Sequence, residues 1–184
     1  MPKPNSNEYA ASFGTYISRV PEDNLEQAIK NQSLILPEFL HSISEEKSLY
    51  AYAEGKWSIR EVLQHIIDAE RIFNYRALCI ARKETVSLPG FDENTYAANS
   101  NGNARTWKSL VDEFMHVRAA TDDLYLSFTE EMLWQKGLSN NNVATPLSFG
   151  FITVGHCYHH KKSTRMDFAT QTLCSLLSKF REVH

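Results

Sequence analysis

Glycine and proline are scarce in this chain, 7 and 6 of 184 residues, and runs of alternating polar and apolar residues are hard to find. That combination favours helices over strands. Cysteine is equally sparse. Cys79, Cys157 and Cys174 are odd in number and scattered, which leaves no disulfide framework and makes a reducing cytoplasm the default location. No apolar run approaches the roughly 20 residues of a membrane span, so no membrane is expected as a partner. The polar opening Met1-Pro-Lys-Pro-Asn-Ser-Asn-Glu8 lacks the apolar core of a secretory signal. Lysine and arginine form no long block, and the formal net charge is −3. Phosphate neutralisation therefore has no footprint, and no nucleic-acid partner is expected. A Gly-rich phosphate loop, a nucleophile elbow and a paired-cysteine zinc motif are absent as well.

The length and an ordinary 42% hydrophobic content predict one domain, 1–184, with a sizeable core. An N-terminal arm (1–20) with aromatic anchors Tyr9, Phe13 and Tyr16 precedes a core of about 20–165, and a tail follows over 166–184. The first helix is expected from Glu22 to about Ser44, with Pro37 as a point of kinking. The second is the clearest. Ser58 and Glu61 form a capping box, Trp57 and Val62 are spaced for a hydrophobic staple, and Ile59, Val62, Leu63, Ile66, Phe73 and Ala77 recur at helical spacing. It should end near Arg82-Lys83. A long polar loop, 88–105, follows, with turn signals at Pro89-Gly90 and Asn101-Gly102; a connection of that length usually carries function or disorder. A third helix is expected over about Thr106–Ser127, a turn at Asn140-Asn141-Asn142, and a fourth helix opening on Thr145-Pro146. That helix is apolar almost all round, which places it centrally. Residues from about Asp167 to Val183 can form a further helix.

The residues that carry chemistry are histidines. His156 and His160 stand four apart on the fourth helix, so their Cβ atoms lie about 5–6 Å from each other. Two imidazoles so placed can converge on one ion, at roughly 2.0–2.1 Å per bond. His65, on the rim of the second helix's apolar stripe, is the candidate third ligand. The residue pattern alone leaves two readings open, a metal site or a set of hydrogen-bonded and helix-end histidines. His159 is a candidate partner for fixing a ligand tautomer, whereas His41, His116 and His184 read as surface or terminal. Asp68, one turn from His65, is either a supporting carboxylate or fourth ligand or else an exposed helical acid. Asp92 and Glu93 are either polar substrate contacts or solvated loop residues. Cys157 points away from the ligand face and reads as a small buried hydrophobe.

Three segments carry a resemblance: Tyr52-Ala-Glu-Gly-Lys-Trp-Ser-Ile-Arg-Glu-Val-Leu-Gln-His65-Ile-Ile-Asp-Ala-Glu-Arg71, Pro89-Gly-Phe-Asp-Glu-Asn-Thr-Tyr96 and Gly155-His-Cys-Tyr-His-His160. Together they resemble the DinB-like superfamily, the DNA-damage-inducible protein family, over roughly residues 20 to 162. The similarity is greatest to its branch of metal-dependent hydrolases and bacillithiol-type S-transferases. The resemblance implies an all-α, up-down-down-up four-helix bundle, here with an extra C-terminal helical segment. It also implies a divalent ion, zinc or nickel, on His65, His156 and His160, and a homodimer. After His160 the chain departs from the family with Lys161-Lys-Ser-Thr-Arg-Met-Asp-Phe-Ala-Thr170, which leaves open an early end to the fourth helix.

Two chemistries on a small-molecule substrate follow. An ion on three neutral imidazoles acidifies a bound water towards a pKa of about 7, which serves hydrolysis. The same charge stabilises the thiolate of a low-molecular-weight thiol cosubstrate, which serves S-transfer. No dedicated general base is evident; Asp68 and Glu93 are the catalytic candidates, and the lack leans the sequence reading slightly to thiol transfer. The alternative from another class is a non-catalytic metal- or ligand-binding stress-response bundle.

Overall fold

A computed structural model describes residues 1–161. Its helices are α1 (Gly14–Ile17), α2 (Leu25–His41), α3 (Ile59–Ala81), α4 (Glu93–Asn99), α5 (Trp107–Leu126), α6 (Glu130–Trp134) and α7 (146–161). A two-stranded antiparallel hairpin, β1 (Gly137–Ser139) and β2 (Asn142–Ala144), precedes α7. The tail helix expected over 167–183 lies outside the described residues.

The ends of the helices follow local chemistry. Asn24 caps α2 through the Gln27 amide, and Pro37 is accommodated inside a continuous helix. At α3 the capping box is complete: the Ser58 hydroxyl accepts from the Glu61 amide at 3.2 Å, and the Glu61 carboxylate accepts from the Ser58 amide at 2.8 Å. Thr106 caps α5 through the Ser109 amide. Thr145 caps α7, accepting from the Ser148 amide at 3.0 Å while its own amide donates back to the Ser148 hydroxyl at 3.1 Å.

Contacts along the rods give their directions. Near the start of α5 the Trp107 indole donates to the Leu40 carbonyl at the end of α2 (3.1 Å), and farther along α5 Asp122 accepts from Ser33 (3.0 Å). These two helices are antiparallel. Arg60 and Asn74 of α3 reach Arg105 and Thr121 in the same order, so α3 and α5 run parallel. In α7, Phe149 packs on Phe73 and His160 on His65, opposite in sense to α3. The course of α2, α3, α5 and α7 is therefore up, down, down, up.

That course explains the long connection. Two consecutive parallel helices have their joined ends at opposite ends of the bundle. The chain must travel back along α3, 23 residues or about 35 Å at roughly 1.5 Å per residue. The polar loop expected over 88–105 is this crossover, and it is not irregular throughout. Asp92 caps α4 through the Thr95 amide, and a 3₁₀ turn covers Gly102–Ala104. The crossover is pinned to the hairpin, where the Leu88 amide donates to Leu138 and its carbonyl accepts from the Asn140 amide.

The core has two apolar clusters. One gathers the late half of α3, the early half of α7 and Ile17 and Val20 of the N-terminal segment. The other gathers the late half of α2 with the early halves of α3 and α5. Between them lies a buried polar layer: Arg118 donates to Glu70 at 2.7 Å, Thr121 donates to Glu70, and Asn74 donates to Thr121. Both charged groups are almost fully buried.

The N-terminal segment is more than an arm. Met1, Tyr9, Phe13 and Tyr16 pack on the first cluster, and the backbone of Tyr16 lies directly against α7 at Gly155. A Cβ there would stand 2.1 Å from the Tyr16 carbonyl oxygen, so only glycine admits this approach.

Candidate metal centre

The folded chain brings His65, His156 and His160 together, with one ligand atom of each within 4.8 Å of the others. The His156 Nε2 lies 3.0 Å from that of His65 and 3.1 Å from that of His160. The α7 pair meets because residues four apart stack on one helix face. His65 meets them because α3 and α7 are antiparallel neighbours whose His-bearing ends coincide.

A neutral imidazole offers one N–H and one lone pair, so the His156 Nε2 can make at most one good hydrogen bond with its two facing nitrogens. Nitrogens held by one tetrahedral ion at 2.0–2.1 Å stand about 3.3 Å apart, close to the two separations made by His156, while all three ligand atoms lie within 4.8 Å of one another. The donor set fits a divalent ion.

The surroundings keep these rings neutral. Burial lowers His65 to about 4, against an opposing pull from Glu93. Burial, with His65 and His159 adding to it, lowers His160 to about 3. His156 is held well below the ordinary histidine range by burial and by the neighbouring imidazoles. Their lone pairs are thus available at neutral pH.

Aromatic rings hold the imidazoles in place. Trp57 lies 5.0 Å from the His65 ring, and Tyr16 stands edge-on to His156 at 5.2 Å and to His159 at 5.4 Å. Burial and the Glu93 charge raise the Tyr16 phenol, which therefore keeps its proton. The histidines line a cavity of about 450 Å³, walled also by the N-terminal segment, the crossover and the hairpin turn. That volume is ordinary for a small-molecule site.

The two carboxylates singled out in the sequence separate. Glu93, the first residue of α4, lines the cavity. Asp68 does not; its carboxylate accepts from Gln64 at 3.0 Å and lies 4.0 Å from Arg71. Asp92 serves as the α4 cap. Cys157 points away into the second apolar cluster, where Arg118 donates to its sulfur and burial pushes its thiol up to about 12. Sequence reasoning missed the contributions of Arg76, Asn94, Asn140 and Asn142 to the cavity wall. Arg76 alone was readable, since eleven residues past His65 is three helical turns on the same face.

The chain is similar to known proteins in sequence and in fold. Over 68 residues, 37% of this chain, it is 29% identical to "Putative metal-dependent hydrolase OB0413" of Oceanobacillus iheyensis, and the match spans 39% of that relative's length. YfiT from Bacillus subtilis, described as "a probable metal-dependent hydrolase with an unusual four-helix bundle topology", superposes with a TM-score of 0.69. It is 14% identical, with 92% of this chain and 93% of that one covered.

The colibactin self-resistance protein ClbS superposes with a TM-score of 0.59 at 16% identity, covering 76% of this chain and 90% of that one. ClbS is described in complex with a double-stranded DNA, which overturns the exclusion of nucleic acid drawn from charge. Net charge sums the whole surface, whereas a duplex meets only a local face, so a balance of −3 does not exclude that partner. Among the described residues no helix is long and apolar enough to cross a membrane. Residues 34–162 match the family model of the DinB superfamily, and the chain belongs to that superfamily.

Proposed function

We propose that this protein is a metal-dependent hydrolase of small organic molecules, with His65, His156 and His160 holding one divalent ion. The observation that carries this reading is the convergence of three neutral imidazole nitrogens in the wall of a substrate-sized cavity. When bound, such an ion supplies Lewis acidity, which lowers the pKa of a water towards about 7 and equally stabilises a thiolate.

The chain's own groups do the rest. Trp57 and Tyr16 fix the ring orientations and, with Phe13 and Phe73, give the cavity an apolar part of its wall. Glu93 is the general base in this reading. Its carboxylate faces the cavity close enough to act electrostatically on His65 and Tyr16. One of its oxygens takes a proton from the attacking water and returns it to the leaving group. Tyr16, protonated, offers an O–H donor to the same space. Asp68 has no part in this scheme.

Thiol transfer is the second reading, favoured by a cavity with room and apolar wall for an electrophile beside a thiol. One assay separates the possibilities. Protein stripped with a chelator and reloaded with zinc or nickel is offered small esters and amides, with and without an added thiol and an epoxide. The expected result is turnover without thiol that disappears on chelation and returns with metal. Glu93→Gln should lower it by roughly 10²–10⁴-fold, the usual worth of a general base. Turnover that requires the thiol would replace hydrolysis by transfer. Bound metal with no turnover of either kind would leave a binding module.

A further inference from the structure

The cavity carries a second feature that metal chemistry does not use. Arg76, on α3, is only 4% exposed. Its Nη2 donates to the Pro89 carbonyl at 2.7 Å, and its guanidinium carbon sits 5.7 Å from the Phe91 ring centre. Among the described residues it has no ion-pair partner. The other deeply buried guanidiniums among the described residues are compensated, Arg118 by Glu70 and Arg60 by Glu45. A guanidinium has five N–H donors, and burying a charge without a counter-charge is costly. Arg76 lines the same cavity as the histidines, on the helix face that carries His65.

We propose that Arg76 is the anchor for a carboxylate on the substrate, a specificity-determining contact remote from the bond that reacts. This rests on the reading of the cavity as a substrate site. A planar guanidinium matches a carboxylate in two parallel hydrogen bonds, and the Phe91 ring lies against the guanidinium at 5.7 Å, a cation–π contact that helps to orient it.

The fork selects the anion locally. One guanidinium neutralises one carboxylate and matches its two oxygens, whereas a phosphate dianion would leave one negative charge without a partner at the Arg76 end, away from the histidines whose ion would carry its own charge. The positions of the two ends set the substrate's shape. His65 and Arg76 are separated by about 16 Å along the helix axis, and arginine side chains lean back towards the helix N-terminus, here towards His65. The substrate is then an elongated monoacid whose apolar middle lies along Phe73 and Phe13, with its reacting group several bonds from the carboxylate.

The test uses 4-phenylbutanoate, its neutral amide 4-phenylbutanamide, and phenyl phosphate. Binding to the full chain is measured by calorimetry, both as purified and in the presence of a chelator. The acid is expected to bind roughly ten- to a hundredfold more tightly than the amide, the range for a hydrogen bond to a charged group. That preference should persist under chelation and vanish in Arg76→Gln. If chelation abolishes the preference while Arg76→Gln keeps it, the ion holds the carboxylate and the proposal fails, with the metal reading untouched. If no ion is bound at all, the acid preference still stands or falls on Arg76 alone. Equal binding of acid and amide, or no binding of either, overturns the anchor, and tighter phenyl phosphate overturns the choice of carboxylate. Thermal melting checks for a merely structural role. Arg76→Gln keeps a donor for Pro89 and removes a buried unpaired charge, so it is expected to melt no lower than the wild type. A large drop in melting temperature would make Arg76 a prop for the crossover instead.

Discussion

Glu70→Ala is expected to destabilise the protein by about 3–5 kcal/mol, the cost of leaving one member of a buried ion pair without its partner. Arg118 would be stranded between the two apolar clusters at 2% exposure, with the Cys157 sulfur as its one other hydrogen-bond acceptor among the described residues. Thr121 would also lose the carboxylate its hydroxyl serves. Urea denaturation followed by circular dichroism reads this as a fall in the midpoint with little change in slope. Replacing both members together, Glu70→Met with Arg118→Met, should recover most of the loss, because apolar side chains of similar volume often substitute for such pairs at little net cost. A single mutant as stable as the wild type would show that the polar layer contributes nothing to holding α3, α5 and α7 together.

His156→Ala is expected to lose metal affinity by far more than the roughly 10- to 100-fold that removal of an outer hydrogen-bond partner costs a metal site. His156 faces both other nitrogens, so its loss leaves His65 and His160 without the ring that joins them. Because His156 is 4% exposed, truncation also opens a void in the core. His160→Ala, at a less buried ring, therefore serves as the companion variant. Both should bind metal weakly while retaining the helical circular dichroism of the bundle. Equilibrium dialysis against zinc reads the affinity, and full retention by either variant would remove that residue from the ligand set.

What the sequence made legible was whatever is encoded over one or two turns. The Ser58–Glu61 box, the Thr145 cap and the His156–His160 pair are local patterns, and each stands where local reasoning puts it. Long-range partnerships were not legible. Glu70 and Arg118 are 48 positions apart, and each alone looks like an ordinary charge on a helix surface. The hairpin escaped because strands of three residues are too short to display alternation. Its turn was visible, and Asn140 and Asn141 both take positive φ (48° and 59°), the conformation of a tight two-residue hairpin turn. The crossover read as a loop because its one short helix, α4, has little apolar face of its own. Its position against α3 comes from the parallel course of α3 and α5, a property of the whole bundle.

The same contrast separates Glu93 from Asp68. Sequence distance favoured Asp68, one turn from His65. Helix rotation turns that carboxylate towards Gln64 and Arg71, whereas the crossover carries Glu93 back over the cavity from 28 positions away in the chain.

X-ray absorption at the metal edge of zinc-loaded, untagged protein bears most directly on the central claim, that these three rings share one ion. The account predicts one ion per chain, with a shell of three imidazole nitrogens at roughly 2.0–2.1 Å that loses imidazole scattering in His65→Gln. A protein that retains no ion after dialysis, or an ion whose spectrum is unchanged by that substitution, would contradict it.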